Sequence, residues 1–144
     1  MNRTNLENLV RIGKLKAEPP SRVEVEGLVR SGRSRLQDAE NESLNLESRF
    51  DLAYNAAHAL ALAALRRCGY RSESRYQVFQ CLIYTLELPS ELWRVLDQAH
   101  RKRNLAEYEG DVDVDIALVE AIIRVAREVE QRVAALELPE EGSE

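Results

Sequence analysis

A chain of 144 residues holds one domain, or one domain with an appendage. At 44% hydrophobic and 31% charged it can bury a core and does not have the composition of a disordered chain. A net charge of −5 argues against electrostatic nucleic-acid binding over the whole surface, while leaving room for a local basic patch.

The chain reads as all helix. Thr4 and Glu7 have capping-box spacing, and Leu6, Leu9, Val10 and Ile12 predict a short helix over residues 4–16, stopped by Pro19-Pro20. Ser21 and Glu24 repeat the capping pattern and open a helix over about 22–40, with the stripe Val25, Leu28, Val29, Gly32, Leu36, Ala39. After the polar stretch 41–45 comes the strongest helix, about 46–68. Phe50, Tyr54, Ala57, Ala61, Ala64 and Cys68 mark one face, and its middle is apolar nearly all round, as in a buried central helix. Gly69 is expected to end it. A helix follows over about 74–86, carrying Val78, Phe79, Leu82 and Ile83. Leu88-Pro89-Ser90-Glu91 is a break and restart, with Ser90 as the expected cap of a helix to about residue 107. Gly110-Asp111 breaks again. The last helix, about 114–136, steps Val119, Ile122, Ala126, Val129, Val133, Leu136, a heptad-like seam that packs in a bundle or across a dimer. No strand-period alternation of useful length is present. Residues 1–20 read as an N-terminal helix or arm, 21–138 as the bundle, and 139–144 as a disordered tail.

The longest apolar run, 56–65, is too short to span a bilayer and contains His58. The first residues lack an apolar signal core. Cys68 and Cys81 lie in apolar helical surroundings with no CxxC or Cys/His spacing, and read as reduced core thiols. These features predict a cytoplasmic protein with no membrane segment, no metal site and no cofactor.

The stretch His100-Arg101-Lys102-Arg103-Asn104-Leu105-Ala106-Glu107-Tyr108 gathers three cations, an amide, a carboxylate and a phenol near the end of a helix. Arg103 is the best phosphate ligand, because its planar fork contacts two oxygens and is always charged. Asn104 is a short amide beside it. His100 lies one turn before Asn104, at the spacing of a hydrogen-bonded pair. Arg101 and Lys102 would contact flanking phosphates. Tyr108 stands five residues beyond Arg103, roughly 140° around a continuing helix, so the two converge only at a helix end, around a ligand or across an interface. The plain alternative is a solvated helix end, since cations in a last turn complement the helix dipole. His58 reads as a partly buried, satisfied histidine, with Tyr54 in the core stripe and Asn55 at a surface position. Asp38, Glu40 and Glu42 read as solvent-facing charges. No Gly-rich phosphate loop, GxSxG or HExxH motif is present.

The order of parts F-x-x-A-Y-x-A (50–56), G-Y-R (69–71) and R-N-x-x-x-Y (103–108), over about residues 46–136, resembles the HEPN superfamily, helical-bundle proteins common in prokaryotic toxin–antitoxin and defence systems. The resemblance implies an up-and-down bundle of four to five helices and a homodimer in which two motifs form one cleft. It also implies RNA as substrate, a metal-independent endoribonuclease activity in active members, and a nucleotidyltransferase-type antitoxin as partner. Arg103 matches the motif arginine and Asn104 its polar residue. Tyr108 replaces the expected histidine, and an unperturbed phenol of pKa about 10 is a poor base near neutral pH. Read this way, Arg103, Asn104 and Tyr108 are the candidate catalytic residues and His100, Arg101 and Lys102 the candidate RNA contacts. The alternative is a non-catalytic helical dimer module that binds a nucleotide or a protein partner.

Overall fold

The computed structural model describes residues 3–110 and 113–136, apart from the side chain of residue 109. The expected break at Gly110-Asp111 and the expected tail 139–144 therefore lie partly and wholly outside the described residues. The chain is an all-α bundle: α1 (Arg3–Arg11), α2 (Arg22–Ala39), α3 (Leu46–Arg67), α4 (Arg75–Gln80), α5 (Leu82–Thr85), α6 (Ser90–Glu109) and α7 (Ile116–Ala135). No helix among the described residues is long and apolar enough to cross a membrane.

The alanine-rich α3 is the central helix, as its all-round apolarity predicts. It lies against α2 along most of its length and against α7 on a second side, while α4, α5 and α6 cover the remaining face. Small residues make the α2–α3 approach close. A Cβ built on Gly32 would stand 2.6 Å from Leu60 Cγ, so any larger residue would force Leu60 to move. The seam of α7 is used inside the chain's own bundle: Val119, Ile122, Ala126, Val129 and Val133 are all buried. Asn45, Ser74 and Asp115 cap α3, α4 and α7 through their side chains, and Ser21 Oγ accepts from Glu24 N at the start of α2.

Four details depart from the sequence reading. The first helix ends at Arg11 rather than running to residue 16, because Gly13, at φ +80°, closes it with bonds from Gly13 N to Val10 O and Lys14 N to Leu9 O. The freed segment forms a two-residue strand, β1 (Lys16–Ala17), antiparallel to β2 (Tyr70–Arg71), with Lys16 opposite Arg71. The helix expected over 74–86 is interrupted at Cys81. There the ladder tightens to a Tyr84 N–Cys81 O bond, and the altered path lets Leu82, Leu86 and Leu88 all bury. Ser90 is the first residue of α6 rather than its cap, and the N-cap position belongs to Pro89, which offers no side-chain acceptor.

A buried arginine that the pattern did not mark ties these parts together. Arg66, 1% exposed, donates to Glu24 Oε1 (2.6 Å), to the Glu18 carbonyl (3.0 Å) and to the Pro19 carbonyl (2.7 Å). Arg71 completes the network through Glu18 (2.8 Å) and Glu24 (2.5 Å). This fixes the 16–20 segment and the C-terminal end of α3. Leu6 and Leu15 join the same core.

Candidate functional site

The site is centred on Tyr54, whose ring is buried in α3 with Phe50 stacked on one side (6.2 Å) and Phe79 edge-on (5.6 Å). Its hydroxyl emerges where α4 and α6 meet α3. Tyr54 Oη lies 3.0 Å from His100 Nδ1, and the two rings stack at 6.4 Å. His100 Nε2 lies 3.2 Å from Asn104 Nδ2, which is the His–Asn pair the spacing predicts on one face of α6. The amide N–H donates to Nε2, so a neutral His100 carries its proton on Nδ1, facing the tyrosine oxygen.

Two guanidinium groups from different helices flank the same phenol. Arg103 of α6 has its Cζ 5.1 Å from the Tyr54 ring centroid, and Arg75 of α4 has its Cζ at 5.5 Å. Arg75 also donates to Asn55 Oδ1 (3.0 Å), so Asn55, expected at a plain surface position, helps hold it. The only carboxylate ion-paired to either arginine, among the described residues, is the exposed Glu107, 3.4 Å from Arg103. The side chain of Arg103 is 29% exposed, open enough to meet a ligand and packed enough to be held in place.

Burial dominates the titrations here, and the neighbouring charges modify it. Burial holds His100 below its ordinary range, with Arg103 and Arg75 adding to the effect and Asp97 opposing it. Burial pushes His58 down further, to about 4, again with Arg75, Arg103 and His100 contributing. His58 packs edge-on to Phe79 at 5.9 Å. Burial raises Tyr54, against the pull of the two arginines, so its phenol stays protonated at neutral pH. The result is a cluster of two cations and two imidazoles that are neutral near pH 7, with Asp97 and Glu107 as the carboxylates acting on it.

The structure brings together His100, Arg103 and Asn104 among the residues marked from sequence. It separates Tyr108 from them. Helix α6 continues through residue 109, so Tyr108 projects about 140° from Arg103 and is 93% exposed. Arg101 is exposed and paired to Asp97 (3.0 Å), and Lys102 lines a shallow recess with Asp115 and Leu118 rather than the Tyr54 cluster. Arg75, Tyr76 and Trp93 were not marked. Tyr76 sits edge-on to Trp93 (6.5 Å) and 6.2 Å from the His100 ring. Nothing in their spacing signals this, because α4 and α6 meet only through the tertiary fold. Cys68 and Cys81 are free, buried thiols, as expected. No group of three or more His, Cys, Asp or Glu side chains gathers in metal-holding geometry among the described residues.

Comparison with family models, with curated proteins and with solved structures returns no match for this chain. The HEPN resemblance is thus carried by the quoted residues alone.

Proposed function

We propose that the Tyr54–Arg75–His100–Arg103 cluster grips an RNA phosphodiester, and that the chain is a HEPN-like component of a prokaryotic toxin–antitoxin or defence system. The observation that carries this reading is the convergence of two guanidinium groups from separate helices beside one imidazole, with the exposed Glu107 the only carboxylate ion-paired to either among the described residues. A phosphate placed there would exchange the weak Glu107 contact for charge-assisted hydrogen bonds from planar forks.

The proposed chemistry is metal-independent transesterification. The 2′-oxygen bonds to its neighbouring phosphorus as the bond from phosphorus to O5′ breaks, giving a 2′,3′-cyclic phosphate and a 5′-hydroxyl. His100, neutral near pH 7, takes the 2′-hydroxyl proton at Nε2 once substrate displaces Asn104, and the resulting imidazolium returns it to O5′. Arg103 and Arg75 stabilise the charge that builds on the phosphorane. The homodimer this reading implies sets two such motifs about one cleft, and Tyr108, on the far side of α6 from Arg103, takes no part in the chemistry. A nucleotidyltransferase-type antitoxin is the partner this reading implies.

The second reading, a non-catalytic module binding a nucleotide or a protein, is favoured by one observation: both ring nitrogens of His100 are occupied within the protomer. Incubation of a labelled single-stranded RNA with wild type and Arg103→Ala, in chelator, separates the two. Cyclic-phosphate products that vanish in the variant support the nuclease. Binding without cleavage supports the module, and neither binding nor cleavage removes RNA from the account.

A further inference from the structure

Beside the Tyr54 cluster lies a cavity of about 610 Å³ that no part of the proposed mechanism uses. It opens between the segment after α1 and the β2–α4 connection, and is lined by Lys14, Lys16, Arg71, Ser72, Tyr76 and Gln77, together with the carboxylate of Glu73. Its size falls within the roughly 300–1,000 Å³ range of small-ligand pockets. Lys14 and Lys16 are exposed and make no salt bridge among the described residues, whereas Arg71 is already held by Glu18 and Glu24. Two cations therefore face the cavity uncompensated except by Glu73, in a chain whose total charge is −5.

Tyr76 joins this cavity to the site. Its ring lies 6.5 Å from Trp93 and 6.2 Å from His100, the residue also lines the cavity, and it is 43% exposed. An exposed aromatic ring between a phosphate-gripping pair of arginines and a pair of unpaired lysines is the arrangement by which proteins hold single strands: bases stack on rings while cations follow the backbone.

We infer that this cavity is a strand-binding subsite, in which a nucleotide flanking the gripped phosphodiester stacks on Tyr76 and the next phosphates pass Lys14 and Lys16. The subsite rests on the RNA reading of the Tyr54 cluster and extends it to single-stranded RNA of several nucleotides. A duplex would not offer Tyr76 an unstacked base.

The test compares a dinucleoside monophosphate, which has no further phosphate to reach Lys14 and Lys16, with a longer single-stranded oligoribonucleotide. Trp93, the sole tryptophan of the chain, sits against Tyr76 and reports occupancy by its fluorescence. The Lys14→Glu/Lys16→Glu variant should bind the longer RNA roughly ten-fold or more weakly, with the salt dependence reduced by about 0.7 per lost phosphate contact, and should bind the dinucleotide as wild type does. Tyr76→Ala should weaken the longer RNA by about ten-fold, and Tyr76→Phe, which keeps the stacking face, should restore it. Melting curves of each variant confirm the fold. Longer-RNA affinity and salt slope that do not change in the lysine variant would overturn the subsite. If Arg103→Ala meanwhile abolishes binding of both ligands, the arginine site stands and the subsite alone fails. If wild type binds neither ligand, both fail.

Discussion

Tyr54 Oη and His100 Nδ1 stand 3.0 Å apart across 46 positions of sequence, and this contact binds the central helix to the helix that carries the arginine motif. It also holds the His100 imidazole against the phenol that Arg75 and Arg103 both approach. The electrostatic cost of that placement is measurable in the protein without any ligand.

The first prediction concerns His58. Its ordinary pKa is about 6.5, and burial together with Arg75, Arg103 and His100 pushes it to about 4 in the folded chain. Above pH 6.5 it is neutral in both states and stability does not depend on it. Between about 6.5 and 4 the unfolded chain binds a proton that the folded chain refuses, so stability falls as pH falls, by up to about 3 kcal/mol, and then levels off. Denaturant melts across this window should show the loss. His58→Gln should remove most of it, leaving the smaller part that comes from His100. An unchanged slope in that variant would mean that His58 is solvated.

Arg66→Met should destabilise the protein by about 3–5 kcal/mol, because Glu24, the Glu18 and Pro19 carbonyls and the Tyr70 carbonyl lose a buried donor together. Burial alone would raise Glu24, but hydrogen bonds from Arg66 and Arg71 outweigh it and hold the carboxyl below its usual range. Its contribution is therefore present above the ordinary carboxylate pKa and is lost as pH falls through the lowered folded value. A melting temperature within a degree or so of wild type would show that the network only decorates the 16–20 segment.

Gly32→Ala should cost about 1–3 kcal/mol even though alanine is the better helix former by about 1 kcal/mol, because the added methyl would overlap Leu60. A gain in thermal stability would mean that α2 and α3 can separate freely at this point.

Tyr108→Phe should leave RNA affinity and any cleavage unchanged, since its side chain stands in solvent on the far side of α6 from Arg103. A loss as large as that of Arg103→Ala would place Tyr108 in the site of a second copy and establish the shared cleft.

The long helices were legible because their apolar residues repeat at helical spacing. The 46–68 stripe and the 119–133 seam are both buried where the pattern put them. Legibility ended where one residue decided the path. Gly13 ends α1 at Arg11, five residues before Lys16, and the Arg66 network is invisible in a pattern that treats every arginine as solvated. Of the site, His100 and Asn104 were readable because one helical turn separates them. Arg75 was not, because its partner Tyr54 lies on another helix and only the packing of α4 over α3 brings them together.

The central claim is that Arg75 and Arg103 grip one RNA phosphate, and a double-mutant cycle tests it most directly. Binding of a labelled single-stranded oligoribonucleotide is measured in chelator for wild type, Arg75→Ala, Arg103→Ala and the double variant, with a melting curve for each. The account predicts that each single variant loses roughly ten-fold or more in affinity while remaining folded, and that the double variant loses clearly less than the product of the two. Wild-type protein that does not bind the RNA, or variants that bind it as wild type does, would contradict it.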